Sequence, residues 1–225
     1  MNFHILTLFP DMMKPYFAES ILGRAQDKGL IKIFFHQLRD YATDKHRRVD
    51  DAPYGGGAGM IFKADVLVKA VREIKKNHPI GRVCLLSPRG KLFSHAVAKN
   101  YSKLDSILLV CGRYEGVDQR AIDLAVDEEI SIGDYVITGG ELAAQIVVDA
   151  VARLIPGVVG DEEGPVDESH ADGLLEYPQY TRPEEFEGKK VPEVLLKGNH
   201  AEIKRWRKEE SLKITLKNRP DLLKK

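Results

Sequence analysis

Cysteine is scarce in this sequence. Two cysteines occur among 225 residues, Cys84 and Cys111, and each lies inside an apolar run with no CxxC or Cys/His pattern nearby. That usage predicts buried thiols in a reducing compartment rather than a disulfide framework. Long apolar runs are missing too: none approaches the roughly 18 residues that span a bilayer, and residues 1–14 lack the basic segment and cleavage site of a signal peptide. These absences predict a cytoplasmic protein with no membrane partner.

Motifs that identify several enzyme classes are also missing. The glycine-rich GGGAG at 55–59 is followed by no GK[ST] and preceded by no strand, which excludes a Walker loop and a dinucleotide-binding fingerprint. The seven histidines show no metal-ligand spacing, and sequence order alone supports no Ser/His/Asp or Cys/His arrangement. Nucleotide hydrolysis, metalloenzyme and hydrolase chemistry therefore gain no support.

Net charge is absent as well, because 34 Lys and Arg balance 34 Asp and Glu. The balance hides three regions. Residues 1–114 carry 19 basic against 10 acidic side chains, residues 115–176 carry 2 against 16, and residues 177–225 carry 13 against 8. A polyanion such as RNA would therefore dock on the two basic flanks. A solvated surface of mixed charge is the competing interpretation.

Short apolar runs alternate with helix-like segments in the first region, which is typical of βαβ units. Residues 18–29 and 64–77 have helical periodicity, and the predicted strands are MNFHILTLF, IKIFFHQL, RVCLLS and SILLVCG. Near-continuous apolar runs followed by glycine or proline are typical of parallel strands covered on both faces. The sequence predicts an open α/β sheet with its ligand at the carboxyl ends of the strands, where the loops SPRGK, GRYEGVD and VITGGEL lie.

The domain organisation changes after residue 160. Residues 161–176 are acidic and poor in apolar side chains, so they are interpreted as a linker. Residues 177–225 predict a small basic helical domain with two short helices, HAEIKRWRKEESLKITLKN and RPDLLKK. Trp206 in that domain is interpreted as a core anchor, with a nucleic-acid face as the alternative.

Two loops are candidate ligand contacts. In KHRRVDDAPYGGG, three basic side chains at positions 45, 47 and 48 stand close to Tyr54, which suits phosphate contact with one stacking ring. An exposed polar loop explains that stretch equally well. In CGRYEGVD, Arg113, Tyr114 and Glu115 lie between two glycines at a strand end, where they could grip a polar ligand. A salt-bridged turn is the alternative there.

These motifs together carry a resemblance. YGGGAGM, LLSPRGK, LVCGRYEGVDQR, SIGDYVITGGEL, RLIPGVVG, YPQYTRP, VPEVLLKGNHAEIKRWR and RPDLL follow one another in this order. From Phe9 to Leu223 the chain closely resembles the bacterial tRNA (guanine-N1)-methyltransferases of the SPOUT class.

The resemblance implies an activity and a fold. Such enzymes transfer a methyl group from S-adenosylmethionine to guanine N1 at tRNA position 37, immediately 3′ of the anticodon, which supports reading-frame maintenance. They act as homodimers, and their α/β domain carries a deep trefoil knot that sequence reasoning would exclude. Expected here are therefore a SPOUT-type knotted parallel sheet, a small C-terminal α-helical domain, a tRNA substrate and a second copy of the chain.

The resemblance also assigns the methyl donor to the loops that match LLSPRG, CGRYEG and SIGDYVITGGEL. The expected donor contacts are Leu86, Ser87, Pro88, Gly112, Tyr114, Glu115, Gly116, Ile132, Gly133, Asp134, Tyr135, Val136, Ile137, Gly139 and Gly140. Glycines suit such contacts, because the main chain can approach an adenine without an intervening Cβ. Glu115 is also implicated in a magnesium dependence, although no ligand cluster in the sequence supports it.

Three residues are expected to carry the chemistry. A carboxylate must remove the N1 proton, and a guanidinium at O6 would stabilise the charge that develops. The resemblance gives Arg153 the second role. Gap-free alignment places Glu168 where the family has an aspartate base, and Asp167 is the alternative.

Departures from the family pattern keep a second hypothesis open. His170 replaces a phenylalanine and Ala143 replaces a proline beside the donor loop. Because the base position is not aspartate, an RNA-binding module without catalysis is the competing prediction. The base is further predicted to reach the donor cleft of the partner subunit, since a linker between two domains can span beyond its own cleft.

Overall fold

The computed structural model describes residues 1–160 and 168–224, so Asp167 lies outside the described residues. The chain divides into two compact units, Met1–Gly160 and Asp161–Lys225. In the first unit the elements are β1 (Asn2–Thr7), α1 (Lys14–Ala18), α2 (Ser20–Asp27), β2 (Lys32–Gln37), β3 (Asp50–Asp51), β4 (Ile61–Phe62), α3 (Ala64–Asn77), β5 (Val83–Leu92), α4 (His95–Tyr101), β6 (Ser106–Cys111), α5 (Gln119–Ala125), β7 (Glu128–Ser131) and α6 (Gly140–Ala152). The second contains β8 (Glu185–Phe186), β9 (Lys189–Lys190), α7 (Glu193–Leu196) and α8 (His200–Asn218).

Five strands form one parallel sheet in the order β2-β1-β6-β5-β7. β1 is an inner strand, and its Asn2 pairs with Lys32 of β2 on one side and with Ser106 of β6 on the other. Alternate β1 side chains enter two buried clusters: Phe3 and Ile5 pack with α6 on one face, while Leu6 packs with α3 on the other. The predicted parallel α/β sheet is confirmed.

Helix α3 covers one face of the sheet because one side of the helix is apolar. Its apolar side chains recur every three or four residues, and the six that are buried are Val66, Leu67, Val68, Ala70, Val71 and Ile74. Burying a Val, Leu or Ile side chain contributes roughly 1.5–3 kcal/mol. Asp65 in the first turn and Lys75 and Lys76 in the last turn suit the helix dipole. The predicted range of this helix, 64–77, matches the structure.

Strand β5 makes a detour that matters for the site. Leu86 pairs with Ile130 of β7, and Lys91 pairs with the same Ile130, so the four residues between them leave the ladder. Gly90 ends the detour, where an added Cβ would lie 2.3 Å from the amide nitrogen of Ile130. The loop SPRG is therefore held outside the sheet at the end of the regular pairing.

The second unit is organised by α8. Asn199 begins the helix, and its Oδ1 accepts hydrogen bonds from the amides of Ala201 and Glu202. Residues 168–176 lie against α8, since the amide of Leu175 donates to Thr215 Oγ1 at 2.8 Å. The second predicted helix is wrong in type, because Pro220–Lys224 forms a short 3-10 helix.

Trp206 is half-buried and packs against Tyr180, with ring centroids 6.3 Å apart. No helix within residues 1–160 and 168–224 is both long and apolar enough to cross a bilayer.

Candidate methyl-donor site

A small cavity lies where the β5 detour meets the segment that joins β7 to α6. Ten of the fifteen residues expected to contact the donor line it: Leu86, Ser87, Pro88, Ile132, Gly133, Tyr135, Val136, Ile137, Gly139 and Gly140. Ile130, Ser131 and Ala143 complete the lining. The fold thus brings together two sequence segments that lie more than forty residues apart, at the carboxyl ends of neighbouring strands.

The glycines of this cavity stand where a side chain has no room. A Cβ at Gly140 would lie 2.7 Å from the Cα of Cys111, and one at Gly139 would lie 2.3 Å from Nε of Arg113. The amide of Gly140 donates to the carbonyl of Gly112 at 2.8 Å, which joins the start of α6 to the end of β6. The start of α6 therefore packs directly against the end of β6, and this contact forms one wall of the cavity.

A serine fixes the loop that follows β7. Ser131 Oγ donates to the carbonyl of Gly133 at 2.9 Å and accepts from the amide of the same residue at 3.2 Å. The ring of Tyr135 lies over Gly133, where an added Cβ would be 2.4 Å from the ring. The cavity beneath has a volume of about 60 Å³.

A buried ion pair supports the same wall. Arg113 Nε donates to Glu141 Oε2 at 2.9 Å, and Thr7 Oγ1 donates to Glu141 Oε1 at 2.7 Å. The side chain of Glu141 is only 3% exposed and that of Arg113 is 18% exposed, while Arg113 also donates to the carbonyl of Thr138. Arg113 thus forms a salt bridge with α6 rather than within its own turn, and the contact of this loop with a ligand stays a prediction. Glu141 was missed by sequence reasoning, because nothing in GGEL distinguishes a buried glutamate from an exposed one.

Five expected donor contacts lie outside the cavity lining. Gly112 adjoins the lining, because its carbonyl accepts a hydrogen bond from the amide of Gly140. The exposed ring of Tyr114 packs edge-on against Phe62 at 5.6 Å. The remaining three are Glu115, Gly116 and Asp134.

Glu115 does not form a recognisable magnesium cage. Its side chain is exposed and lies against Gly59, and its amide donates to the carbonyl of Met60 at 3.0 Å. In the part of the chain that the structure describes, Glu115 belongs to no group of three or more carboxylates, thiols or imidazoles. Mg²⁺ prefers one or two carboxylates together with water and substrate phosphates, so Glu115 would hold the ion only together with water and a phosphate of the substrate. The magnesium assignment stays a prediction.

Arg153 stands at the other end of α6. It directly follows the last helical residue, and ten residues separate it from Ala143 at the cavity, a rise of about 15 Å along the axis. Leu142, Ile146, Asp149 and Arg153 recur at spacings of four, three and four, so they share one stripe of the helix. Leu142 is 54% exposed and Ile146 is 40% exposed. This stripe faces away from the buried side of α6.

Glu168 belongs to a groove within the second unit. The groove has a volume of about 630 Å³, and its lining includes Glu168, Tyr177, Lys204, Arg207 and Lys208. The guanidinium of Arg207 lies 4.7 Å from the ring centroid of Tyr177. Three cations therefore surround a groove that also contains the expected base.

Tyr54 is extended into solvent. Its side chain is 97% exposed, although it follows a basic segment that includes Lys45 and Arg48. It lines a cavity of about 920 Å³ that lies beside α3 and does not include an expected donor contact. An exposed ring near cations is available for stacking.

Comparison with known sequences tests the resemblance. A sequence profile for the family described as tRNA (Guanine-1)-methyltransferase TrmD matches residues 1–225. The chain belongs to this family.

Curated relatives agree with the match. A tRNA (guanine-N(1)-)-methyltransferase from Geobacter sp. (strain M21) is 55% identical over 223 residues, covering 99% of this chain and 90% of the relative. One from Chloroflexus aggregans is 58% identical over 224 residues, covering 99% and 88%, and one from Clostridioides difficile (strain 630) is 52% identical over 227 residues, covering 100% and 98%. The resemblance found in the motifs is therefore confirmed.

The two segments LLSPRG and SIGDYVITGGEL, in which donor contacts are expected, meet at this cavity. Its apolar surface comes from Leu86, Ile130 and Ile137. Sequence reasoning missed Ile130 and Ser131. Ser131 opens the motif SIGDYVITGGEL and Ile130 directly precedes it, and both are buried at the end of β7.

Proposed function

We propose that this chain transfers a methyl group from S-adenosylmethionine to N1 of the guanosine at tRNA position 37, and so supports reading-frame maintenance. The observation that carries the proposal is the glycine-walled cavity of Gly139 and Gly140, in a chain whose family membership is established. Two of the three loops expected to form a trefoil knot, LLSPRG and SIGDYVITGGEL, line this cavity, and the third is joined to it by the hydrogen bond between Gly140 and Gly112. The two buried, unpaired cysteines are compatible with the cytoplasm as the site of action.

The donor enters by displacing the loop after β7. At about 60 Å³ the cavity is well below the roughly 300 Å³ of typical ligand pockets. Tyr135 and Val136 are both exposed, and the ring of Tyr135 covers Gly133. Rotation of this side chain away from Gly133 enlarges the cavity while the wall at Gly140 stays fixed by its hydrogen bond to Gly112.

The catalytic site is completed by a second copy of the chain. Arg153 lies about 15 Å along α6 from its own donor cavity, which is too far for direct action there. It shares a stripe with Leu142 and Ile146, and exposed apolar side chains of this kind are suited to burial in a subunit interface. A homodimer that covers this stripe brings Arg153 to a shared interface.

The chemistry requires one proton acceptor and one cation. The bound donor supplies a methyl group on a sulfonium centre, and guanine N1 must lose its proton as it attacks. Glu168, or Asp167 as the alternative, takes that proton. The guanidinium of Arg153 donates to guanine O6, where negative charge develops.

The second unit holds the tRNA. Lys204, Arg207 and Lys208 line one groove, and cations of this kind neutralise phosphates. Residues 177–225 are therefore proposed as the tRNA-binding domain and residues 161–176 as the segment that carries the base. Tyr54 on the first unit offers an exposed ring to an unstacked base.

A methyl-transfer assay tests the activity. The purified full chain is incubated with labelled S-adenosylmethionine and either a tRNA with guanosine at position 37 or the same tRNA with adenosine there. We expect label in N1-methylguanosine with the first tRNA alone. Binding of tRNA and donor without transfer would favour the non-catalytic module, and transfer to both tRNAs would indicate another RNA site.

Paired variants then assign the base. Glu168→Gln or Asp167→Asn is expected to lower kcat by roughly 10²–10⁴, according to which carboxylate takes the proton. Glu187→Gln, an exposed carboxylate beside β9, is the matched control and should retain activity. Mixing Gly140→Ala chains with Glu168→Ala chains tests the shared site, since unrestored activity in the heterodimer would argue against it.

A further inference from the structure

Three histidines that are far apart in the sequence meet beside the edge of the sheet. His4 lies in β1, His36 lies in the neighbouring β2, and His78 follows the last residue of α3. One ring nitrogen of each lies within 4.8 Å of the others. Sequence spacing concealed this cluster, because its members are 32 and 42 residues apart. Within residues 1–160 and 168–224 it is the one convergence of three side chains able to hold a metal ion.

The rings are packed and partly dehydrated. His4 is buried, whereas His36 and His78 are half-buried, which leaves a path to solvent. Phe34 stacks on His4 at 4.7 Å between centroids, and His78 lies 4.6 Å from the same imidazole. The cluster therefore has an aromatic ring on one side and an opening to solvent on another. A metal ion with three protein ligands and one bound water needs such an opening.

The nitrogens are available as ligands. His4 Nδ1 and His36 Nε2 are 3.0 Å apart, a distance at which one of them must present a lone pair to the other. Burial, followed by the repulsion of neighbouring imidazoles, lowers the pKa of His4 and of His36 to about 4. Neutral imidazole is the form that binds metals.

We propose that His4, His36 and His78 form a zinc site that links β1, β2 and the end of α3. Three imidazoles suit Zn²⁺ rather than Mg²⁺ or Ca²⁺, which prefer oxygen ligands. Tetrahedral zinc with bonds of about 2.0–2.1 Å needs ligand nitrogens about 3.3 Å apart, so the widest pair closes by up to roughly 1.5 Å through ring rotation. Water takes the fourth position. The ion stabilises the fold and takes no part in methyl transfer.

Metal titration of the intact chain tests this site. After treatment with a chelator and desalting, the protein is titrated with Co²⁺, followed by its visible ligand-field absorption, and with Zn²⁺, followed by thermal unfolding. We expect one ion per chain, displacement of Co²⁺ by Zn²⁺, and an unfolding midpoint raised by roughly 5–10 °C at zinc a hundredfold above Kd.

Matched variants locate the ion. His36→Gln and His78→Gln should each weaken zinc binding at least tenfold and remove the rise in the midpoint, while His46→Gln, an exposed histidine outside the cluster, should keep both. Zinc should also shift the imidazole NMR signals of three of the seven histidines in the unaltered protein, a readout that needs no variant. Absence of binding, or binding that survives both cluster variants, would overturn the proposal.

Discussion

Two glycine-rich segments of the first unit use glycine for opposite reasons. In the loop 55–57 each glycine has a positive φ, between 80° and 124°, and an added Cβ would meet nothing closer than 3.9 Å. At 139–140, φ is not in the left-handed region, and an added Cβ would lie under 3 Å from neighbouring atoms. The first segment needs glycine for its backbone conformation, and the second needs glycine for space.

This difference separates an exposed loop from a packed contact between α6 and the end of β6. Positive φ without crowding indicates a turn that solvent surrounds, whereas crowding without positive φ indicates that another chain segment or a ligand must approach the backbone. The same substitution, Gly→Ala, should therefore have different consequences in the two segments.

Gly140→Ala should have the largest effect. The new methyl group would lie 2.7 Å from the Cα of Cys111, so α6 must move away from β6 and weaken the Gly140–Gly112 hydrogen bond. We expect a loss of up to about 3 kcal/mol in the free energy of unfolding and loss of donor binding. Thermal unfolding measures the loss of stability, and equilibrium dialysis with labelled S-adenosylmethionine measures the loss of donor binding. Gly160→Ala, where an added Cβ meets nothing within 4 Å, is the control and should change neither.

Glu141→Gln should come next. It keeps the shape but removes the charge that binds Arg113 inside the first unit, so we expect a loss of about 2 kcal/mol in unfolding free energy. Glu129→Gln is the matched control, because Glu129 pairs with the exposed Arg89 and such pairs contribute about 0–1 kcal/mol. Equal effects in urea denaturation of the two variants would show that the buried pair does not support the wall.

Gly139→Ala should be milder than Gly140→Ala. Its Cβ would collide with the side chain of Arg113 rather than with backbone, and a side chain can rotate away at the cost of its contact with Glu141. We expect about 1–2 kcal/mol of destabilisation and roughly tenfold weaker donor binding. If Gly139→Ala destabilises the protein less when Arg113 is also replaced by glutamine, the collision with the Arg113 side chain causes the loss of stability. An unchanged loss of stability in that background would mean that the new methyl group collides with another part of the protein.

Gly56→Ala should have the smallest effect. Alanine at φ of 80° costs about 1–2 kcal/mol, and the reduced entropy of the unfolded chain offsets about 0.4–1 kcal/mol of that. We expect net destabilisation near 0.5–1 kcal/mol, a midpoint lower by roughly 2–3 °C, and unchanged donor affinity. A tenfold loss of donor affinity in dialysis would contradict the distinction between the segments.

Local pattern was sufficient for much of the fold. The apolar periodicity of α3 predicted its range, and the apolar runs of β1, β5 and β6 predicted a parallel sheet, because burial on both faces leaves a signature in consecutive residues. The motifs of the donor loops were recognised for the same reason, since their residues are contiguous in the chain.

What could not be predicted depends on contacts across long separations. Glu141 is buried because Thr7 and Arg113, 134 and 28 residues away, surround its carboxylate. The register shift in β5 depends on Gly90 lying against Ile130, and the meeting of three histidines depends on strand order. Each of these is a property of the assembled sheet and not of any short window.

The strand order has a consequence for synthesis. β1 pairs with β2 on one side but must wait for β6 on the other, and 74 residues separate the end of β2 at Gln37 from the end of β6 at Cys111. At about 5–20 residues per second the ribosome needs roughly 4–15 s to make that stretch. Throughout this interval the nascent chain carries an open strand edge, a ready template for pairing with another chain. The aggregation risk of the emerging polypeptide is thus set by the order of its strands rather than by the stability of the finished fold.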